Sequence, residues 1–443
     1  MSQLDTTGRV LNGWNPEEPE HWSAPIAWRT LIITTFSLVI AFCVFFLVSA
    51  IAPRLKDIGF DLTASQLYWL TAMPGLSGGL IRLVYMFLPP IVGTRKLIGI
   101  SSLLYLIPML GWFVAVQNTS TPYAVLLLLS FLCGIGGGTF SGYMPSTGYF
   151  FPKRLSGTAL NVQAGLGNLG MSIIQILGPW LMGFGLLGIT FIAPQRTADN
   201  TELFVHNAAI FFVPWAILAA ILAFWLLKDV PVKANFRQQI DIFSNPDTWL
   251  MTLLYVLTFG LFSGFSAQFG LLINNTFGPD STLAASGYTD LPRGATYAFL
   301  GPLIGSLVRV AWGPLCDRIS GAFWTFVSAV GMAVTLGWAA LYLHPSDPSS
   351  FRPFLWVMLA MFFFAGIGNA GTFKQMPMIM PQRQAGGAIG FTAAVACFGP
   401  FFVGVALSAM DAATWFWICA VYSALCAVIC WVRYARPGAP FPG

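Results

Sequence analysis

Acidic side chains and histidines are missing from the interior of every long apolar stretch in this chain. Its 443 residues include 16 Asp and Glu and 3 His. All of them fall in polar clusters, at the termini or at the edges of apolar segments, and Asp317 comes closest to an apolar interior. Without carboxylates the interior cannot hold a cationic substrate or relay protons through acids, and without histidine it has no switch near neutral pH. Enzymatic chemistry is excluded on the same ground. There is no Ser-His-acid set, no HExxH, no phosphate-binding loop and no pair of interior carboxylates. The string Gly165-Leu166-Gly167-Asn168-Leu169-Gly170 imitates a dinucleotide fingerprint, but it follows no strand and sits inside an apolar run. The seven cysteines, Cys43, Cys133, Cys316, Cys397, Cys419, Cys426 and Cys430, lie within or at the edge of apolar stretches. They show neither metal spacing nor a disulfide framework and read as packing residues. No catalytic residue, metal or cofactor is expected.

Charge of either sign is also sparse. Charged residues make up 8% of the chain, apolar residues 56%, and the mean hydropathy is +0.74. A soluble domain of this length cannot hide so much apolar surface. Cut at its polar clusters, the chain gives twelve apolar segments of spanning length, near 30–52, 67–91, 98–117, 123–149, 158–190, 208–227, 248–273, 294–315, 323–343, 354–380, 386–409 and 413–432. An all-α integral membrane protein is predicted, with the lipid bilayer as its surroundings. Arg95, Lys96, Lys153, Arg154, Lys228 and Arg318 then share one side with both termini, while few basic residues, such as Arg54, Lys56 and Arg293, face the other. That bias puts both termini in the cytoplasm of a bacterial-type inner membrane. The net charge of +5 is therefore a topology signal and does not point to nucleic acid. Residues 1–28 are polar and acidic, so no cleavable leader is expected.

Two of the segments carry an arginine. Pro74 to Gly93 reads PGLSGGLIRLVYMFLPPIVG and holds Arg82; Gly301 to Cys316 reads GPLIGSLVRVAWGPLC and holds Arg309 in the same frame. Small residues stand just ahead of each, where a helix or ligand can approach closely. A cation at bilayer depth is costly and faces a cavity or a partner. A structural cation bonded to helix-end carbonyls would account for either arginine alone less awkwardly than for the matched pair. Two guanidinium forks with no interior acid suit a small oxyanion. Lys374 is a third interior cation. Desolvated beside two arginines it could lose its proton and couple transport to protons, or it could instead snorkel to the near surface.

The halves repeat elsewhere. GIGGGTFSGYMP at Gly134 corresponds to GIGNAGTFKQMP at Gly366, with their Thr-Phe pairs out of step by one position. GTALNVQAGLGNLG at Gly157 corresponds loosely to GGAIGFTAAVACFG at Gly386. A parallel six-plus-six repeat of this kind resembles the major facilitator architecture. The expected organisation is an arm (1–28), a six-helix half (29–227), a central connection (228–247), a second half (248–433) and a tail (434–443). Gly165, Gly167 and Gly170 form a small-residue strip on the fifth helix, read as a sliding surface between halves or as static packing. Asp317 and Arg318, in GPLCDR, form a facilitator-type inner latch, whereas the corresponding loop PIVGTRK at Pro90 has proline in place of the acid.

The arm GWNPEEPEHW, the arginine in SGGLIRLVY, the run QAGLGNLGMSIIQ and AGGAIGFTAAVACFGPF together resemble the NarK-like nitrate/nitrite porters over nearly the whole chain. By that resemblance Arg82 and Arg309 bind nitrate, Phe140, Tyr255, Phe259 and Phe373 line the pocket, and Asn168 is a polar neighbour. The short connection PQRQAGG at Pro381 and the presence of Lys374 lean toward the proton-coupled branch of that family. The expectation is nitrate/proton symport by a monomer, with nitrite as a second substrate. Nitrate/nitrite exchange is the alternative, and an anion channel or a transporter-like sensor is the reading from another class.

Overall fold

The computed structural model describes residues 7–185, 193–197, 200–232 and 241–439. Among the described residues, ten helices are long and apolar enough to cross a membrane. They are α1 (Ala24–Leu55), α3 (Thr94–Ala115), α4 (Tyr123–Gly148), α6 (Asn207–Leu226), α7 (Pro246–Thr276), α8 (Gly294–Arg318), α9 (Gly321–Ala340), α10 (Pro348–Ile379), α11 (Gly386–Ala409) and α12 (Ala412–Ala435). Two more long helices, α2 (Ala64–Tyr85) and α5 (Lys153–Leu181), fall between them in the chain. These two are less apolar because they carry Ser77 and Arg82, and Gln163, Asn168 and Gln175, which are buried between helices and away from lipid. Helix α2 ends before the 67–91 segment does, since Pro89 and Pro90 break the ladder. The one sheet among the described residues pairs β1 (Gln195–Arg196) with β2 (Glu202–Leu203). Residues 233–240 of the expected central connection, and the ends 1–6 and 440–443, lie outside the described residues.

The two halves meet mainly where α2 runs against α11 and α5 against α8. Glycines permit both approaches. A Cβ on Gly75 would stand 2.6 Å from the backbone nitrogen of Phe401 in α11. On the side away from the termini, buried polar bonds close the seam. Gln175 Nε2 donates to the carbonyl of Ser266 at 2.8 Å and to Ser49 Oγ at 2.9 Å. Thr71 Oγ1 donates to Gln268 Oε1 at 2.5 Å, and at the rim the partly exposed Lys56 Nζ pairs with Asp280 at 3.2 Å. On the side of the termini a cavity of about 320 Å³ lies between the halves, lined by Met86, Met144, Tyr149, Leu160 and Ile389 among others.

The arm packs on the ends of the first half. Trp14 Nε1 donates to the carbonyl of Tyr149 at 3.1 Å, Trp22 Nε1 to that of Phe150 at 2.8 Å, and Glu17 Oε1 accepts the N–H of Lys153 at 2.9 Å. Arg9, Val10 and Leu11 run alongside Asp229, just after α6, with backbone bonds in both directions at 2.9 Å. The loop between α2 and α3, expected to lack its acid, receives one from Asp229. Its Oδ1 accepts the N–H of Arg95 at 2.8 Å, and its Oδ2 lies 3.6 Å from Arg95 Nε. Gly93 makes this possible: its φ is +84°, and a Cβ there would stand 2.6 Å from Asp229 Oδ1.

Candidate functional site

Both arginines are carried to the centre of the seam and lose almost all contact with the surroundings. Arg82 is 0% exposed and Arg309 2%. Arg82 is fixed by two backbone carbonyls: its Nε donates to Gly137 in α4 and its Nη1 to Ala393 in α11, each at 2.8 Å. Its Nη2 has no partner among the described residues. Arg309 differs sharply, because none of its three guanidinium nitrogens has a protein partner there. No ion pair among the described residues includes either arginine. Leaving such donors unpaired in a protein interior is expensive.

Four rings close around the two cations. The Arg82 guanidinium carbon lies 4.7 Å from the Phe140 ring centre and 5.4 Å from that of Phe259. Arg309 stands 4.8 Å from the Phe373 ring. Phe140 and Phe373 meet edge-to-face at 6.3 Å, and Tyr255 stacks on Phe259 at 5.4 Å and tilts against Phe373 at 5.3 Å. Such cation–ring contacts hold guanidinium groups without neutralising them. The residues from Val256 to Gly260 form a π-helical turn in α7 that carries Phe259. Turns of this kind re-aim side chains at the cost of helix regularity. Tyr255 Oη faces the Arg309 guanidinium as its nearest polar neighbour but makes no hydrogen bond of good geometry to protein among the described residues. Phe140, Phe373 and Ala393 also line the deep end of the 320 Å³ cavity, so the arginines stand behind these groups, outside its lining.

Asn168 in α5 is fully buried, and neither of its amide atoms has a partner among the described residues. It lies three residues beyond Gly165, whose Cβ would stand 2.3 Å from Val310 Cγ2, next in the chain to Arg309. The expected glycine strip is not one surface. Gly165 faces α8 across the seam, whereas Gly167 faces Leu38, and Gly170 faces the Val39 carbonyl and the Cys43 nitrogen, all on α1 of its own half.

Lys374 does not join the arginines, contrary to the reading that desolvates it beside them. Its Nζ is 2.5 Å from Asp317 Oδ1, and the two side chains are 37% and 61% exposed. The cause is length: four methylenes let the ammonium reach the end of α8 while Phe373 stays at the site. The ion pair at this end of α8 is therefore Asp317 with Lys374, tying α8 to α10 inside the second half, and not Asp317 with Arg318, which ends α8 as an exposed side chain.

Charge counting alone overlooks the polar groups that carry no charge. Gln175, Gln268, Ser141 and Ser306 are all buried in the described structure, with the hydroxyls of Ser141 and Ser306 unpartnered. The available signal was amide and hydroxyl side chains inside apolar helices, which are seldom placed there without a contact to serve.

A bundle of long membrane-spanning helices with two arginines buried at its seam is a membrane-transporter fold, and the chain belongs to the major facilitator superfamily. The family model of that description matches residues 34–402. Among curated relatives, the "Probable nitrate/nitrite antiporter NarK2" of Thermus thermophilus is 51% identical over 98% of each chain. The "Nitrate/nitrite transporter NarU" of Salmonella typhimurium is 34% identical over 96% of each. This places the chain with the NarK-like porters of that superfamily. Among solved structures, a D-xylose–proton symporter matches with a TM-score of 0.65 at 14% identity, covering 92% of this chain and 98% of that one. A bacterial homologue of the lysosomal transporter Spinster, inward-facing, matches at 0.63 and 14%. At such identities the likeness is one of fold.

Proposed function

We propose that this protein carries nitrate and nitrite across the inner membrane by exchanging one for the other. The observation that carries the reading is the pair of permanently charged guanidinium groups from opposite halves, with Arg309 donating to no protein group. A planar, singly charged oxyanion matches the forks of Arg82 and Arg309 and fits between the faces and edges of Phe140, Phe373 and Phe259. Tyr255 supplies a hydroxyl donor, and Asn168 an amide from α5. The curated relatives, named for nitrate and nitrite, support this choice of anion.

Exchange is preferred over proton symport for a physical reason. Returning the site empty through the membrane would move two uncompensated cations, which is costly, whereas a second anion removes the penalty. Symport needs a group that takes up a proton with the anion. Lys374, the residue expected to do so, has its charge satisfied by Asp317 at the end of α8. Both termini lie in the cytoplasm in this reading, so the 320 Å³ cavity is the cytoplasmic exit, and a monomer embedded in lipid suffices.

Proteoliposomes test it directly. Nitrate uptake should require nitrite or nitrate inside and should ignore an imposed pH gradient. Uptake into nitrite-free vesicles driven by the gradient would establish symport instead. Flux that never exceeds the electrochemical gradient would mark a channel, and a protein with no flux at all would fit a sensor.

A further inference from the structure

The Thr-Phe pairs of α4 and α10 are one position out of step, yet their rings stand at nearly the same distance from the two arginines. Phe140 follows Gly134 by six residues and Phe373 follows Gly366 by seven, and both glycines abut the small residues one turn before an arginine. One residue of an α-helix is a rotation of ~100°, enough to aim a ring at the wrong neighbour. Helix α10 runs unbroken from Phe351 to Ile379, and Thr372 Oγ1 donates to the carbonyl of Gly368, four residues back, at 2.8 Å. Helix α4 is instead interrupted at Thr139, between the regular stretches Tyr123–Gly138 and Phe140–Gly148. There Thr139 Oγ1 donates to the carbonyl of Gly136, only three residues back, at 2.8 Å. The N–H of Thr139 keeps its bond to the carbonyl of Ile135, four residues back, at 3.3 Å, so the hydroxyl is an added side-chain tie across the interruption.

The Thr139 hydroxyl is itself held. Tyr105 Oη of α3 donates to Thr139 Oγ1 at 3.1 Å and lies 2.9 Å from Tyr143 Oη; Tyr143 Oη in turn lies 3.0 Å from Ser37 Oγ of α1. All four residues are buried. Gly136, Gly137 and Gly138 have no side chains with which to set the roll of this stretch, and its two functional products flank Thr139. These are the Gly137 carbonyl that accepts Arg82 Nε, and the Phe140 ring beside the same guanidinium.

We propose that Thr139, fixed by Tyr105, is a positioning residue for the anion site. Its hydroxyl ties the interrupted stretch of α4 to Tyr105 of α3, so that the Gly137 carbonyl and the Phe140 ring are aimed at Arg82 and the direction of that guanidinium fork is fixed. The idea rests on the paired-arginine reading of the site; it does not depend on whether the cycle is exchange or symport.

The test compares purified Thr139→Val, Thr139→Ser and Tyr105→Phe with the wild type, by calorimetric nitrate binding and by nitrate counterflow in liposomes. Thr139→Val should raise both Kd and KM about tenfold, the size expected when one buried hydrogen bond is lost, with maximal flux within about twofold. Thr139→Ser keeps the hydroxyl and should restore wild-type values, and Tyr105→Phe should fall between. Ser423→Ala, which removes a back-bonding hydroxyl from α12, controls for generic loss of helix bonding and should change nothing. Wild-type Kd in Thr139→Val, or equal damage from Val and Ser, overturns the proposal. Should Thr139→Val fail to reach the membrane, Tyr105→Phe decides alone, and unchanged binding there overturns it. A wild type that binds nitrate but shows no counterflow sinks the exchange reading and leaves the binding comparison intact.

Discussion

Arg82 Nη1 donates to the carbonyl oxygen of Ala393 at 2.8 Å, and through that bond an arginine of the first half holds the backbone of the second. Arg309 makes no reciprocal bond. The site is thus asymmetric at rest: one fork is spent partly on protein, while the other keeps all its donors for a guest. On the proposed reading, an anion arriving between them would gain most from Arg309 and would compete with Ala393 for Arg82.

Lysine at either arginine keeps the charge and loses the planar fork. Both Arg82→Lys and Arg309→Lys should lower nitrate kcat/KM by about 100-fold or more, the scale of losing a bidentate charge-assisted contact. Counterflow in liposomes reads this out. Normal affinity in both variants would dismiss the paired-fork site.

The three glycines of α5 should separate into two classes. A Cβ on Gly170 would stand 2.4 Å from the Val39 carbonyl and 3.1 Å from the Cys43 nitrogen, backbone that cannot yield. Gly170→Ala should therefore lose stability, by about 1–3 kcal/mol, seen as a lowered Tm in detergent. Gly165→Ala meets a side-chain methyl of Val310 across the seam and no backbone atom closer than 4.0 Å. It should keep its Tm and slow exchange. Equal Tm losses in the two would mean that both positions serve packing alone.

Lys374→Gln removes a charge that is already paired near the surface. Counterflow of nitrate against nitrite should persist within about twofold, since exposed ion pairs contribute little. Proton movement accompanying nitrate should be absent in variant and wild type alike. Wild-type proton uptake that vanishes in Lys374→Gln would reinstate lysine-based coupling.

Asp229→Asn weakens an ion pair and a charge-assisted bond to the Arg95 N–H at the start of α3. A loss of about 1–2 kcal/mol is expected, with the nitrate KM unchanged, because the contact lies away from the arginines. Thermal unfolding followed beside transport kinetics separates the two effects.

The helices and the arginine pair could be read from composition, because burial in lipid demands long apolar runs and makes every interior charge conspicuous. What fixes the arginines could not. Gly137 and Ala393 contribute carbonyl oxygens, which every residue has, so no side-chain pattern marks them. Asp229 serves a loop more than 130 positions earlier and looks, in the chain, like the start of a surface connection. Asp317 and Lys374 were each visible, but only the lie of α8 against α10 brings their ends together. The strip of α5 misled for a related reason. Small residues at helical spacing announce close approach, but Gly165 meets the second half while Gly170 meets the first.

The docked arm has a consequence for the order of synthesis. The described hydrogen-bond partners of residues 8–22 outside the arm itself, at Tyr149, Phe150, Lys153, Lys228 and Asp229, all precede residue 230. A ribosome that has released α6 has therefore supplied everything needed to tie the beginning of the first half to its end. That half can close on itself while the second is still being made, as chains that fold unit by unit do. Arg82 must then wait in a finished half for the carbonyl of Ala393, one of the last of its contacts to be translated.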